Sequence, residues 1–274
     1  MWSVVWLVPL GFVVGAYGTL IGAGGGFVLV PILALLYPTE SPELLASISL
    51  AVVFFNALSG SAAYARMGRI DYRSGVLFAI ATIPGAVLGA LTTSFLPRRL
   101  FDGALGTLLV VGSIALLLGG NGGKWRAARS ISHTATRTLV EADGTHHIYS
   151  YNLGAGIGIS IAVGFLSSLL GIGGGIIHVP ILTYILHFPV HVATATSHFV
   201  LAVMALAGTL VHVATGVFTH GVRRTLALAI GVLIGAQLGA RLSGRIGGGW
   251  ILRGLAIALA FIGARVLLQA LGAA

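Results

Sequence analysis

Apolar residues run along this chain in long charge-free blocks separated by short basic intervals. The blocks are about Trp2–Tyr37, Leu44–Ala65, Ser74–Leu96, Gly103–Gly120, Tyr151–Phe188, Val192–Val217, Leu226–Ala240 and Trp250–Leu271. Strand alternation is absent from them. Each therefore reads as a membrane helix, because in lipid only helices or closed barrels satisfy every backbone polar group. The first and fifth blocks exceed the roughly 20 residues that one span needs. Both contain a glycine cluster followed by a proline, which predicts a full-length helix, a non-helical break and a half-helix. The interval from Asn121 to Ser150 is the one long polar stretch, and it reads as an extramembrane loop on the cytoplasmic side.

The blocks also repeat. Leu20–Leu33, "LIGAGGGFVLVPIL", matches Leu169–Leu182, "LLGIGGGIIHVPIL". Ser47–Gly68 aligns with Ala195–Gly216, and "GAVLGA" at Gly85–Ala90 with "GAQLGA" at Gly235–Ala240. The expected fold is an all-α polytopic membrane protein made of two pseudo-symmetric four-segment repeats. Residues 1–120 form the first, 121–150 the linker and 151–274 the second. Internal duplication is common among secondary transporters. Eight plain crossings would make the halves parallel, with the basic loops favouring an N-terminus inside. Re-entry of each broken segment would invert the halves instead.

Composition agrees with a membrane setting. Hydrophobic residues make up 57% and charged residues 8%, against about 25% charged in soluble domains. Mean hydropathy is +1.03. The net charge of +9 comes from basic residues between the apolar blocks. There they anchor loops at anionic headgroups, and nucleic acid is not an expected partner. Cysteine is absent, which removes disulfides and thiolate chemistry. No metal-ligand spacing, paired carboxylate or Ser/His/Asp arrangement stands out, so neither enzyme nor cofactor is expected. His146 and His147 in the linker read as solvated rather than as a metal pair, because adjacent side chains do not share a face.

The glycine clusters are the candidate site. Each glycine costs a helix about 1 kcal/mol relative to alanine, and a break in lipid must line a cavity to be tolerated. A half-helix starting at Phe27 or Ile176 would aim its free N–H groups into that cavity, a setting that suits an anion. Pro31 and Pro180 would then fall near the first turn, where a missing N–H costs little. The competing reading is close packing through small residues, assigned here to Gly11, Gly15, Gly18, Gly60, Gly106 and Gly154. Hydroxyls at the openings of the following helices, Ser47 and Ser49, then Thr194, Thr196 and Ser197, either cap those helices or join the cavity. His178, His198 and His212 lie within apolar blocks, and such residues are functional candidates. Their first-half counterparts are Leu29, Leu50 and Tyr64, so any histidine role is one-sided. Asn56 and Gln237 are expected to hydrogen-bond between helices. All six acidic residues precede Gly144 and none is deep in a block, which argues against a carboxylate relay for cations. The candidate binding set is Gly24, Gly25, Gly26, Ser49, Gly173, Gly174, Gly175, His178, Thr196, Ser197 and His198. Alanine at Gly174 and Gly175 should leave a mere packing scaffold folded.

Two GxGGG clusters, each followed five residues later by Pro, with "ATATSHF" opening the next helix of the second half, resemble the TauE/SafE family of sulfite exporters. The resemblance covers about Phe12–Leu118 and Gly154–Leu268. In the first half it departs at Ser47-Ile-Ser49, where a fuller Thr-Ser pattern is the rule. The resemblance implies a multi-pass inner-membrane transporter of a small sulfur-containing anion, such as sulfite or an organosulfonate, working by alternating access in the export direction. Its partners would be that anion and the lipid bilayer, with a homodimer left open. The alternatives are a non-transporting scaffold or accessory subunit, and a transporter of another small anion.

Overall fold

The computed structural model describes residues 4–119 and 134–271. Lys124, Arg126 and Arg129 of the linker lie outside the described residues. Ten α-helices lie among the described residues: α1 Leu7–Ile21, α2 Gly26–Leu36, α3 Pro42–Arg66, α4 Tyr72–Thr93, α5 Arg98–Gly119, α6 Leu153–Leu170, α7 Gly175–Pro180, α8 Val190–Ala214, α9 Val222–Ser243 and α10 Gly248–Ala270. By length and composition eight helices can cross a membrane, and the apolar helices Gly26–Leu36 and Gly175–Ile185 are too short.

The two breaks form as the glycines require. Helix α1 ends in a Schellman-type cap, with Gly22 at φ +81° and the Ala23 N–H donating to the Gly18 carbonyl at 2.8 Å. At the end of α6, Gly171 takes φ +67° and the Ile172 N–H donates to the Ser167 carbonyl at 3.1 Å. L-residues rarely adopt these left-handed angles, and glycine adopts them freely.

Three local expectations are corrected. The half-helices begin at Gly26 and Gly175, one residue early, so Pro31 and Pro180 sit inside them rather than in the first turn. After Pro180 the helix widens into a π-helical stretch, Ile181–Ile185, with the Leu186 N–H donating to the Ile181 carbonyl at 3.0 Å. The missing proline N–H and the ring's clash with the preceding turn account for a change of pitch there. Helix α3 is capped by Ser41, whose hydroxyl accepts from the Leu44 N–H at 3.2 Å, and α8 starts at Val190. Ser47, Ser49, Thr194, Thr196 and Ser197 therefore lie one or two turns inside their helices and cap neither.

The linker is not simply a solvated loop, so the fold is not wholly α. Ala135–Val140 (β1) pairs antiparallel with His146–Tyr151 (β2). Tyr149 and Tyr151 face inward and are buried, alternating with exposed Ile148. His146 and His147 take opposite faces as strand neighbours must. His147 Nε2 lies 2.8 Å from Glu141 Oε1.

Close glycine contacts set the helix directions. Gly11 and Gly15 of α1 lie against Leu228 and Val232 of α9, while Gly235 and Gly239 lie against Phe12 and Ala16. The numbers rise together, so α1 and α9 run parallel. Gly85 and Gly89 of α4 meet Ile161 and Phe165 of α6 in the same sense. Helix α2 folds back. Gly25 lies beside Gly18 and Val14 of α1, and Glu40, just after α2, pairs with Arg224 near the start of α9 at 2.9 Å. Helix α7 folds back likewise, since Phe188 beyond it packs at a tilt against Tyr149 and Tyr151. The first half thus enters from one end of the bundle and the second from the hairpin end, with both short helices re-entrant. Gly106 packs closely, as expected, against Leu267. Gly154 does not, because a Cβ there would meet only Asn152 Oδ1 at 3.4 Å.

Candidate functional site

The two glycine breaks meet in the middle of the bundle. A Cβ built on Gly175 would lie 2.1 Å from the Gly22 carbonyl oxygen, and one on Gly26 would lie 2.5 Å from the Ile172 carbonyl oxygen. Each break is backed by the long helix of the other half. Gly22 rests on the Thr194 backbone in α8, and Gly171 on the Ala46 backbone in α3. Val53 and Leu201 close over the pair, with Leu201 against Gly24 and Val53 against Gly26 and Gly173.

Around this junction several buried donors lack a partner among the described residues. The N–H groups of Gly25, Gly26 and Phe27, and of Gly173 to Ile176, find no backbone acceptor among the described residues, as the first turn of a helix dictates. The side-chain atoms Ser167 Oγ, Ser168 Oγ, Thr194 Oγ1, Ser197 Oγ and Asn56 Nδ2 are buried without a partner. Native interiors rarely leave such groups unpaired. No Asp, Glu, Lys or Arg lies within α1, α2, α6, α7 or α8, so the junction carries no formal charge of its own.

The expected site residues divide into two sets. Gly24, Gly25, Gly26, Gly173, Gly174 and Gly175 come together at the junction. Ser49 joins them, its hydroxyl donating to the Gly171 carbonyl at 2.6 Å. Ser197 and His198 share the α8 face that carries Thr194 and Leu201, by their spacing of three, four and seven residues. Thr196 points elsewhere, and its hydroxyl accepts from the Asp71 N–H at 3.0 Å. His178 does not reach the junction contacts either. Its Nε2 lies 3.3 Å from Ser160 Oγ, and its ring meets Phe78 edge-on at 6.0 Å. Thr196 is turned away because one residue along a helix rotates a side chain by about 100° from its neighbour Ser197. Asn56 and Gln237 bond between helices as expected. Thr19 donates to Asn56 Oδ1 at 3.1 Å, and Gln237 donates to the Ser59 carbonyl at 2.7 Å. Sequence reasoning missed Thr19, Ser167, Ser168, Val53 and Leu201. The first three lie three or four residues before a glycine cluster, one helical turn back, and that spacing was the available signal.

The hairpin end is charged and well paired. Arg69 Nε donates to Glu141 Oε2 at 2.5 Å, and the Tyr149 hydroxyl donates to Asp71 Oδ2 at 2.8 Å. Burial and the Asp71 charge push the Tyr149 phenol well above its usual range, so it stays a donor. Arg137 reaches Ser74 Oγ at 3.3 Å. Together these contacts clamp the hairpin onto the α3–α4 connection.

Comparison with known proteins agrees with this architecture. A probable membrane transporter protein of Bacillus subtilis, YunE, is 35% identical over 220 residues, covering 78% of this chain and 80% of the relative. A probable membrane transporter protein of Methanocaldococcus jannaschii is 27% identical over 207 residues, covering 74% and 69%. No solved structure matches the chain. Residues 7–266 match the family described as sulfite exporter TauE/SafE. With nearly the whole chain matched, ten helices and two apposed breaks, the protein belongs to the TauE/SafE family of membrane transporters.

Proposed function

We propose that the chain is a secondary transporter that exports a small sulfur-containing anion, sulfite or an organosulfonate, by alternating access. The observation that carries the reading is the meeting of two half-helix N-termini around unpaired buried donors, with no carboxylate nearby. The free N–H groups and positive dipole ends favour an anion. Both half-helices, Gly26–Leu36 and Gly175–Ile185, span about 16 Å, half of a bilayer core. Sulfur enters through the family alone. The anion would be held by the N–H groups after Gly25 and Gly174, by Ser197 and by Asn56 Nδ2. Movement of Val53 or Leu201 off its glycines would open the junction to one end at a time. The opposed entry of the two halves and the matching packing of α1 on α9 and α4 on α6 support two inverted repeats as the rocking units.

The test is flux. Purified protein in liposomes should move labelled sulfite, thiosulfate or an organosulfonate down its gradient. Folded protein that moves none of them would sink the proposal and leave the scaffold reading.

Orientation follows from the re-entrant helices. At the hairpin end lie Arg66, Arg69, Arg73, Arg137, Arg241, Arg245 and Arg253, and the sequence sets Lys124, Arg126 and Arg129 between α5 and β1, which both end there. The opposite end has Arg98, Arg99, Arg223, Arg224 and Arg265. The positive-inside rule therefore puts the hairpin in the cytoplasm and the start of α1 outside. An inside N-terminus suits eight plain crossings, and the turning back of the first block reverses it. The chain has no cysteine, so single introduced cysteines report cleanly. A membrane-impermeant maleimide on intact cells should label Thr39→Cys and spare Ile148→Cys. The reverse pattern would refute this orientation.

A further inference from the structure

Behind the first break lies a polar cluster that the second break lacks. Thr19 Oγ1 donates to Asn56 Oδ1 at 3.1 Å and sits 3.2 Å from His198 Nε2. The Tyr64 hydroxyl donates to the Thr19 carbonyl at 2.7 Å, and its ring meets the imidazole edge-on at 5.8 Å. All four side chains are fully buried. The imidazole fits because residue 60 is glycine, since a Cβ there would lie 2.5 Å from Nε2. At the matching place in the other half, Leu50 packs against Gly208.

The bonds assign the tautomer. Thr19 has one hydroxyl proton, and Asn56 receives it. Its oxygen is then free to accept, so His198 Nε2 carries the hydrogen. This assignment comes from the network, not from a located hydrogen. His198 Nδ1 is left with a lone pair, buried and without a partner. The carbonyl groups of Asn56 and Gly22 face the ring. A protonated ring carries an N–H on both nitrogens and offers an anion at the junction a positive charge. The Gly22 carbonyl is the one that Gly175 abuts, so the proton would act on the contact between the breaks.

The geometry points to His198 as the coupling residue of transport, taking one proton on Nδ1 as the anion binds and releasing it with the anion on the other side. This rests on the anion-transport reading above. The proton comes from the solution that supplies the anion, one N–H bond forms and later breaks, and the protein ends the cycle unchanged. A divalent anion moving with one proton still carries one net negative charge, so an inside-negative potential drives it outward. Reciprocal linkage requires the bound anion to raise the proton affinity by the same factor as the bound proton raises the anion affinity.

No other group takes this place. Among the described residues, Tyr64 is the one titratable side chain that meets the ring in the cluster. On α1, Tyr17 donates to the Gly254 carbonyl. His178 of α7 lies against Ser160. On α8 itself, His191 and His212 are about two and four turns away. Asp71 reaches α8 through its N–H to Thr196, and Arg69 is paired with Glu141; both belong to the hairpin end. With no carboxylate at the imidazole, the anion itself is the countercharge.

The test uses full-length protein in liposomes that hold a pH indicator, with protein-free vesicles subtracted. Inward gradients of sulfite, thiosulfate and methanesulfonate are applied in turn. In the wild type the lumen should acidify together with anion entry. His198→Gln keeps an N–H for Thr19 but cannot take the proton. It should lose at least about tenfold of the acidification per anion carried. Thr19→Val keeps the imidazole and frees its tautomer, so it should shift the pH of half-maximal uptake without abolishing proton entry. That variant decides the matter if His198→Gln fails to fold. Anion entry without acidification in the wild type would overturn the inference and leave the transport reading standing. Undiminished acidification in His198→Gln, or an unshifted pH profile in Thr19→Val, would also overturn it. A wild type that carries none of the three anions would refute the transport reading, and the role of His198 with it.

Discussion

Gly175→Ala is expected to fail to fold, whereas Gly174→Ala is expected to fold and lose transport. The two positions are adjacent, yet their surroundings differ in kind. A methyl on Gly175 would lie 2.1 Å from the Gly22 carbonyl oxygen and 2.5 Å from Ala23 Cα. Both are backbone atoms of the other break, and they yield only if the breaks separate. Separation would leave buried carbonyl and N–H groups without their surroundings, at a cost of several kcal/mol. Gly174 has φ −63°, an angle alanine adopts without strain. Its methyl would meet Met204 Sδ and Val163 Cγ1 at 3.1 Å and Ser167 Oγ at 3.3 Å, contacts that a thioether and a rotating hydroxyl relieve by small shifts. The methyl would nevertheless fill the space beside Ser167 Oγ, a buried hydroxyl without a partner at the junction. Thermal unfolding and gel filtration of the two detergent-solubilised variants check the first half of this prediction. A well-folded Gly175→Ala would show that the breaks do not press on each other. The paired alanine test expected from sequence is therefore sound at Gly174 alone.

Glu141→Ala should release the hairpin. The Glu141 carboxylate holds Arg69 on one oxygen and His147 on the other, and the Arg69 and Glu141 side chains are only 12% and 6% exposed. Removing one partner of a buried pair costs about 3–5 kcal/mol, because the remaining charge stays desolvated. Arg69 already has Nη1 without a partner, so it has no second acceptor to turn to. Hydrogen exchange should rise through Ala135–Tyr151, and the hairpin should become open to protease, while the helices keep their protection. Replacing both partners by apolar residues, Arg69→Met with Glu141→Leu, should recover most of the loss. Unchanged exchange in Glu141→Ala would mean that Tyr149, Tyr151 and Phe188 hold the hairpin unaided.

The bilayer made the helices readable, because it leaves a hydrophobic chain few options. The breaks were readable for the same reason: Gly22 and Gly171 announce left-handed caps where nothing else would justify glycine. What the breaks turn toward was less visible. Whether Leu20–Leu33 continues across the membrane or doubles back depends on Gly25 seating against Gly18 and Val14, a contact between residues that no local pattern links. Thr196 and Ser197 looked equivalent, yet only Ser197 shares the face of Thr194 and Leu201. His198 stood out, but its partners Thr19, Asn56 and Tyr64 come from two other helices. The hairpin hid behind its charges. In "ATRTLV" and "HHIYSY" the inward set includes Arg137 and His147, so polarity masked an alternation that burial makes plain.

Sulfite flux through Gly174→Ala, set against Gly158→Ala, tests the apposed breaks most directly. Gly158 has nothing within 4 Å of a built Cβ, so alanine there controls for glycine loss in a membrane helix. With equal amounts of folded protein reconstituted, Gly158→Ala should match the wild type, and Gly174→Ala should lose at least about tenfold of the flux, equivalent to about 1.4 kcal/mol. Wild-type flux in Gly174→Ala would contradict the claim that the anion passes between the two breaks.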